Sequence, residues 1–274
     1  MRFGLDIAQQ RISFEEVVRR ARVAESLGFD GAWGFDHFQP MYGEGPGECF
    51  EGMTTLAALA GMTSTIRLGL LVTGVTYRHP SVFAAEAVTV DHASNGRLEL
   101  ALGAAWAQDE HDRFGIPFPG TGERFDLLED ALEILTRLFT GDVVSYDGRR
   151  VSLHDARLRP LPVQRPHPPL WIGGSGPKRT LPLAARFADV WHAGGPEYAE
   201  RSRRLDRLAE EAGRDPRSIK RAGSLSLSQP MPAIRREIEQ RMAGGVDHYL
   251  VCGWPGEGVD QVQEFAETVL PDYA

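Results

Sequence analysis

Cysteine is scarce in this chain. Cys49 and Cys252 are the only two in 274 residues and stand far apart, which excludes a disulfide framework and a thiolate zinc spacing and leads us to expect a reducing, cytoplasmic setting. No stretch approaches the roughly 20 apolar residues of a membrane span, and Asp6 interrupts the first apolar run, so neither an anchor nor an export signal is expected. Positive charge is also in deficit: 30 Lys and Arg against 38 Asp and Glu give a net charge of −8, which argues against a sequence-independent grip on nucleic acid or an anionic membrane. The eight histidines show no ligand spacing and no His-x-His follows the first strand, so a metal-dependent barrel hydrolase is disfavoured. What remains is an ordinary globular composition, 42% hydrophobic and 25% charged, of a length that suits one α/β barrel.

The stretch from Ile66 to Phe118 organises the reading. Ile66 to Thr73 is a short apolar run without polar alternation, which predicts a strand buried on both faces in a parallel sheet. Pro80 then opens a helix in which Val82, Phe83, Ala87 and Val90 recur at helical spacing until Ser94-Asn95-Gly96. Leu98 to Leu102 is a second strand and runs into Gly103, Ala104, Ala105 and Trp106. Parallel α/β proteins bind ligands beyond the carboxyl ends of their strands, so Leu71, Val72, Thr73 and Gly74 are expected beside Gly103 to Trp106 on the functional face.

The same rhythm runs through the chain. Arg2 to Ile7 is a strand, Ser13-Phe14-Glu15-Glu16 opens a helix closed by Gly28, and Phe29 to Phe35 is a strand ending in Asp36-His37-Phe38, an acid and an imidazole at a strand carboxyl end. Gln39 to Glu51 is rich in Gly and Pro and predicts a long loop over the mouth. After Trp106 come Glu110 and His111, then a long helix from about Gly122 to Phe139. Asp142 to Leu153 alternates around Asp147-Gly148 as a hairpin, and five prolines from Pro160 to Pro169 make the next segment extended and stiff. Residues 140 to 169 are therefore read as an insertion in one domain spanning 1–274, helping to wall the pocket. Leu170 to Ile172, Asp189 to Ala193, Lys220 to Ser228 and Asp247 to Cys252 complete about eight strands, the count of a (β/α)8 TIM barrel with an insertion before the fifth strand.

Several segments together resemble the luciferase-like monooxygenase superfamily, in its branch that uses the deazaflavin coenzyme F-420 (F420). They are GFDGAWGFDHF at 28–38, VTGVTYRHPSVFA at 72–84, SNGRLELALGAAW at 94–106, GIPFPGTGERFDLLEDAL at 115–132, RPLPVQRPHPPLWIGGSGPKRTLPLAARFADVWH at 159–192 and FAETVLP near the end. The resemblance implies a (β/α)8 barrel acting as an F-420-dependent oxidoreductase on a small organic substrate. It implies that Asp36 and His37 form an acid pair near the deazaflavin ring. Leu71 and Val72 would fall at a bulge with a non-prolyl cis peptide behind that ring. Gly173, Gly174 and Ser175 would lie along the cofactor, and Gly194 and Gly195 would hold its phosphate. Where some deazaflavin-dependent sugar dehydrogenases place a glutamate this chain has Trp106, which leaves Glu110 and His111 as neighbouring candidates for the proton donor. Two alternatives stay open: an FMN-dependent monooxygenase fed by a partner flavin reductase, and a deazaflavin-binding protein without turnover. A homodimer is a further implication.

Without the resemblance, His37 reads as an ordinary hydrogen-bonded loop histidine, Trp106 as a packing aromatic and the Gly173–Gly176 run as a turn before a helix.

Overall fold

A computed structural model describes residues 1–254 and 259–273. Eight parallel strands close into a barrel: Arg2–Asp6, Gly31–Gly34, Arg67–Leu70 continued by Thr73–Gly74, Leu98–Gly103, Leu170–Gly173, Val190–His192, Lys220–Ser226 and Tyr249–Gly253. Closure is made by the first strand, which pairs Gly4 with Gly31 on one side and Arg2 with Tyr249 on the other. Helices follow the strands and pack outside them, so the near-continuous apolar runs of the sequence are those of strands covered on both faces.

Local signals act as the sequence suggests. The Ser13 hydroxyl accepts the Glu16 N–H at 3.2 Å and starts the helix Phe14–Ser26. Glu51 accepts from Met53 and Thr54 to start Gly52–Met62. Pro80 occupies the first turn of Pro80–Ala93, which ends where Asn95 and Gly96 take left-handed conformations.

Two features depart from the reading of the residues alone, the first of them as the resemblance implies. The third strand is not continuous: it breaks at Leu71–Val72, a cis peptide without proline, and the pairing offset to the fourth strand falls by one between Leu68↔Leu98 and Thr73↔Leu102. One extra residue on the third strand therefore makes the bulge that the resemblance implies. The second departure concerns the insertion. Its hairpin, Val144–Asp147 against Ser152–Ala156, packs on the helix Thr121–Leu138, where Asp130 accepts from the Tyr146 hydroxyl at 2.8 Å and from the Arg150 and Val151 N–H groups. Its proline-rich part is bound near the amino end of the barrel, with Gln164 held by Asp91 and by the Leu98 carbonyl. The expectation that residues 140–169 wall the pocket is thus corrected. A segment joining a helix to the next strand lies at the strands' amino ends, opposite the ligand face.

The barrel interior is plugged by aromatics. Trp33, Trp171 and Tyr249 meet with ring centroids 4.6 to 5.7 Å apart, and Gly4 and Gly69 make room, since a Cβ at either would stand 2.3 or 2.5 Å from the Trp33 ring. Below the plug Glu99 accepts the Trp171 indole N–H at 2.6 Å and pairs with Arg67. Leu71 and Val72 rest on this plug and form the floor of the space above it.

Candidate active site

A cleft of about 810 Å³ opens above that floor at the carboxyl ends of the strands, a volume ordinary for a small-molecule or cofactor site. Its walls draw on every strand end. His37, Gly103, Ala104, Ala105, Trp106, Gly173 and Gly174 all line it, as the sequence reading expects. Val72 lies across the two glycines: a Cβ on Gly103 or Gly173 would come within 2.8 or 2.7 Å of its methyls. The result is a flat apolar floor in which Val72 fills the space left by the two glycines. From the loop after the second strand, Met41 and Tyr42 add a wall. Gln10 holds that loop by accepting the Met41 N–H at 2.6 Å, and Arg11 donates to the Tyr42 carbonyl at 2.7 Å.

His37 is buried except for the edge facing the cleft, and its Nδ1 lies 2.9 Å from Glu110 Oε2. A carboxylate can only accept, so Nδ1 carries the hydrogen, and among the described residues Nε2 has no hydrogen-bond partner. Glu110 sits fully buried on the short helix Gln108–Phe114 and also accepts the Phe38 N–H at 2.6 Å, the Gln39 N–H at 3.2 Å and the Tyr77 hydroxyl. Burial pushes its carboxyl up, but the hydrogen bonds from His37, Tyr77 and Phe38 outweigh that and hold it below the ordinary carboxylate range. Burial and the same bond to Glu110 raise the Tyr77 phenol well above its usual value, so Tyr77 remains a donor.

This geometry revises three assignments. Asp36 does not pair with His37. It is fully buried outside the cleft and takes a two-pronged contact from Arg78 at 2.5 and 2.9 Å, because neighbouring residues leaving a strand project to opposite sides. Glu110 is not a donor facing the cleft but the partner behind the imidazole. His111 is buried and spent: its Nδ1 donates to the Ala107 carbonyl at 2.7 Å, leaving Nε2 to accept the Thr76 hydroxyl at 2.6 Å, while its ring stacks on Tyr77.

Trp106 does reach the mouth, 70% exposed, with its edge toward His37 at 5.5 Å between centroids. Thr73 is buried, and neither it nor Ser175 or Gly194 lines the cleft. Gly195 instead lines an adjoining recess of about 570 Å³, which shares Glu237 and Arg241 with the main cleft.

The sequence reading missed Asp6, His192 and the Glu237–Arg241 pair, all in the cleft wall. The strand-end rule could have found the first two, since Asp6 and His192 close the first and sixth strands. Burial raises the Asp6 carboxyl to about 6, against the opposing pull of the Ala8 N–H and Arg20. It lowers the His192 imidazole to about 4, helped by the charge of Arg241. His192 keeps some solvent contact at its edge and bonds Ser224 Oγ through Nε2 at 3.0 Å, but protein surrounds the ring, and a cation there would be poorly solvated. Nothing in the sequence signals the helical pair Glu237 and Arg241.

Among the described residues no group of three or more His, Cys, Asp or Glu could hold a metal ion, and no helix is long and apolar enough to cross a membrane.

Comparison with known proteins agrees with the barrel fold. Over 190 residues, 69% of this chain and 55% of the other, the sequence is 33% identical to an F420-dependent glucose-6-phosphate dehydrogenase from Microbacterium testaceum. Over 253 residues, 89% of this chain and 68% of the other, it is 29% identical to an F420-dependent hydroxymycolic acid dehydrogenase from Mycobacterium tuberculosis. The chain thus spans little more than half of the first of these relatives. Among solved structures, an F420-dependent secondary alcohol dehydrogenase in complex with an F420-acetone adduct superposes with a TM-score of 0.87 at 20% identity, covering 100% of this chain and 99% of that one. A coenzyme F420-dependent tetrahydromethanopterin reductase from Methanopyrus kandleri gives 0.82 at 19% identity, covering 100% and 99%. At these identities the structural likeness carries the fold. The profile of the luciferase-like monooxygenases matches residues 1–237, and the chain belongs to that family.

Proposed function

We propose that this protein is an oxidoreductase that moves a hydride between coenzyme F-420 and a small organic substrate, with His37 handling the accompanying proton. The observation that carries the reading is the imidazole held by a buried carboxylate with its second nitrogen free toward a flat-floored cleft. The names of the sequence relatives support the choice of coenzyme.

The residues present fit such a group. Leu71 and Val72 offer an apolar platform for a planar ring, and the lack of a side chain at Gly103 and Gly173 leaves the space that the Val72 methyls fill. Gly195 and Arg236 border the adjoining recess and would hold an anionic tail. When bound, the coenzyme takes or gives the hydride. Oxidising an alcohol removes a hydride from carbon, which the bound coenzyme would accept, and a proton from oxygen, which Nε2 of His37 would take, leaving a carbonyl. Reduction reverses each transfer. The Glu110 carboxylate faces the charge that forms on the imidazole and keeps Nε2 directed at the substrate oxygen.

The test is a substrate screen that follows loss of the coenzyme's visible absorbance, repeated with His37→Ala. The variant should keep coenzyme affinity and lose about 10²- to 10⁴-fold in turnover. Unchanged turnover would remove His37 from the reaction. Oxygen consumption with supplied reduced FMN would move the protein to the monooxygenase reading, and binding without any turnover to the non-catalytic one.

A further inference from the structure

The cleft has a marked chemical asymmetry around His37. The imidazole is ringed by aromatic side chains: Phe35, Tyr77 and Trp106 lie 5.6, 6.2 and 5.5 Å away between centroids. Trp106 and Tyr42 hold large apolar surfaces in solvent at the mouth, 70% and 68% exposed, and Met41 and Phe125 continue the wall inward. Exposed aromatics concentrated at one opening mark a place where apolar surface is meant to be covered.

Cations are missing from the same place. Arg241 is the only Lys or Arg among the described lining residues, and it is paired with Glu237 at 2.9 Å. The other cations near the mouth are committed elsewhere. Arg78 is locked among Asp36, Glu51 and Glu86; Arg124 donates to the Ala104 and Pro119 carbonyls; Arg179 pairs with Asp126 at 2.6 Å. Arg11 is used up on the loop it secures, and Lys178 stands outside the lining. With Asp6 and Glu237 against Arg241, the lining among the described residues carries one more acidic than basic residue. A phosphate entering beside His37 would lose its water and meet no free guanidinium.

We infer that the substrate is an uncharged, largely apolar alcohol or its carbonyl counterpart, seated against Trp106 and Tyr42, and not a sugar phosphate or other anion. This rests on the function proposed above and narrows it. The adjoining recess with Arg236 serves the coenzyme's own anionic tail, so that arginine is not available to the substrate.

The experiment separates the two claims. Coenzyme binding is measured first, through the coenzyme's own fluorescence; failure there overturns the functional reading and this inference with it. Protein saturated with reduced coenzyme, which cannot accept a further hydride, is then titrated calorimetrically with 1-phenylethanol and with glucose 6-phosphate. The alcohol should bind at least roughly tenfold tighter. Trp106→Ala should weaken it about fivefold or more, with Tyr42→Ala acting in the same direction, while coenzyme affinity stays unchanged. Tighter binding of the phosphate, binding of neither probe by coenzyme-loaded protein, or indifference of the alcohol to both substitutions overturns the inference.

Discussion

His37 and Glu110 are hydrogen-bonded as one unit, and in the proposed reaction the imidazole would exchange the proton while the carboxylate fixes its tautomer and meets its charge. Glu110→Gln keeps the side chain's shape but removes that charge and can present an N–H to Nδ1. It should lower turnover by about 10² while coenzyme affinity is maintained; equal turnover would show that the pair is only structural. Asp6 and His192 make a second, pH-dependent contrast. The Asp6 pKa is raised, from 3.8 to about 6, so the folded protein holds its proton longer than the unfolded chain does and stability falls as pH rises through 4 to 6. The His192 pKa is lowered, from 6.5 to about 4, so the unfolded chain binds the extra proton and stability falls as pH drops through the same range. The two slopes oppose each other. Asp6→Asn should expose the His192 slope and stabilise the protein at pH 7 by on the order of 1–3 kcal/mol, after allowance for solvent at the cleft edge. Denaturant midpoints across pH 4–7 that match the parent would contradict this. His37 is legible in the sequence because it follows the carboxyl end of a strand. Its true partner was not, since Glu110 lies 73 positions away and only the folded loop brings it near.

The strands and helices obey two local rules with different reach. Short unbroken apolar runs and strand-end position located most of the cleft, including Gly103 to Trp106 and Gly173-Gly174. Adjacency in sequence misplaced Asp36, because residues one apart leave a strand in opposite directions. The insertion was recognised as a hairpin and a proline-rich segment but assigned to the wrong end, although helix-to-strand connections belong at the amino ends. The floor formed by the broken third strand offers a direct test. Gly173→Ala puts a methyl against Val72 and should weaken coenzyme binding by overpacking worth about 1–3 kcal/mol, and adding Val72→Ala should recover most of it. Lack of recovery would mean that the two do not share one surface. At the opposite end Arg97 is nearly buried and donates to the Ala60, Thr63, Ile66 and Ser94 carbonyls and to the Thr63 hydroxyl, all at 2.7 to 3.0 Å. It ties the end of Gly52–Met62 to the starts of the third and fourth strands. Arg97→Met should cost about 2–4 kcal/mol in denaturant unfolding without changing coenzyme affinity; loss of both together would contradict a purely structural role.

The barrel joins these elements by closing eight strands, so that residues from positions 6 to 254 share one mouth. Strand count and helix spacing made that architecture legible, since each strand is a short apolar run and each helix a longer periodic one. The aromatic plug of Trp33, Trp171 and Tyr249 was not, because three residues on different strands have no common sequence signal. The proposed function requires that the cleft select a deazaflavin. We would therefore titrate the purified, cofactor-free protein with coenzyme F-420 and, separately, with FMN, following the fluorescence of each. Tight binding of F-420 with little affinity for FMN is the expected result. Preference for FMN, or binding of neither, would contradict it.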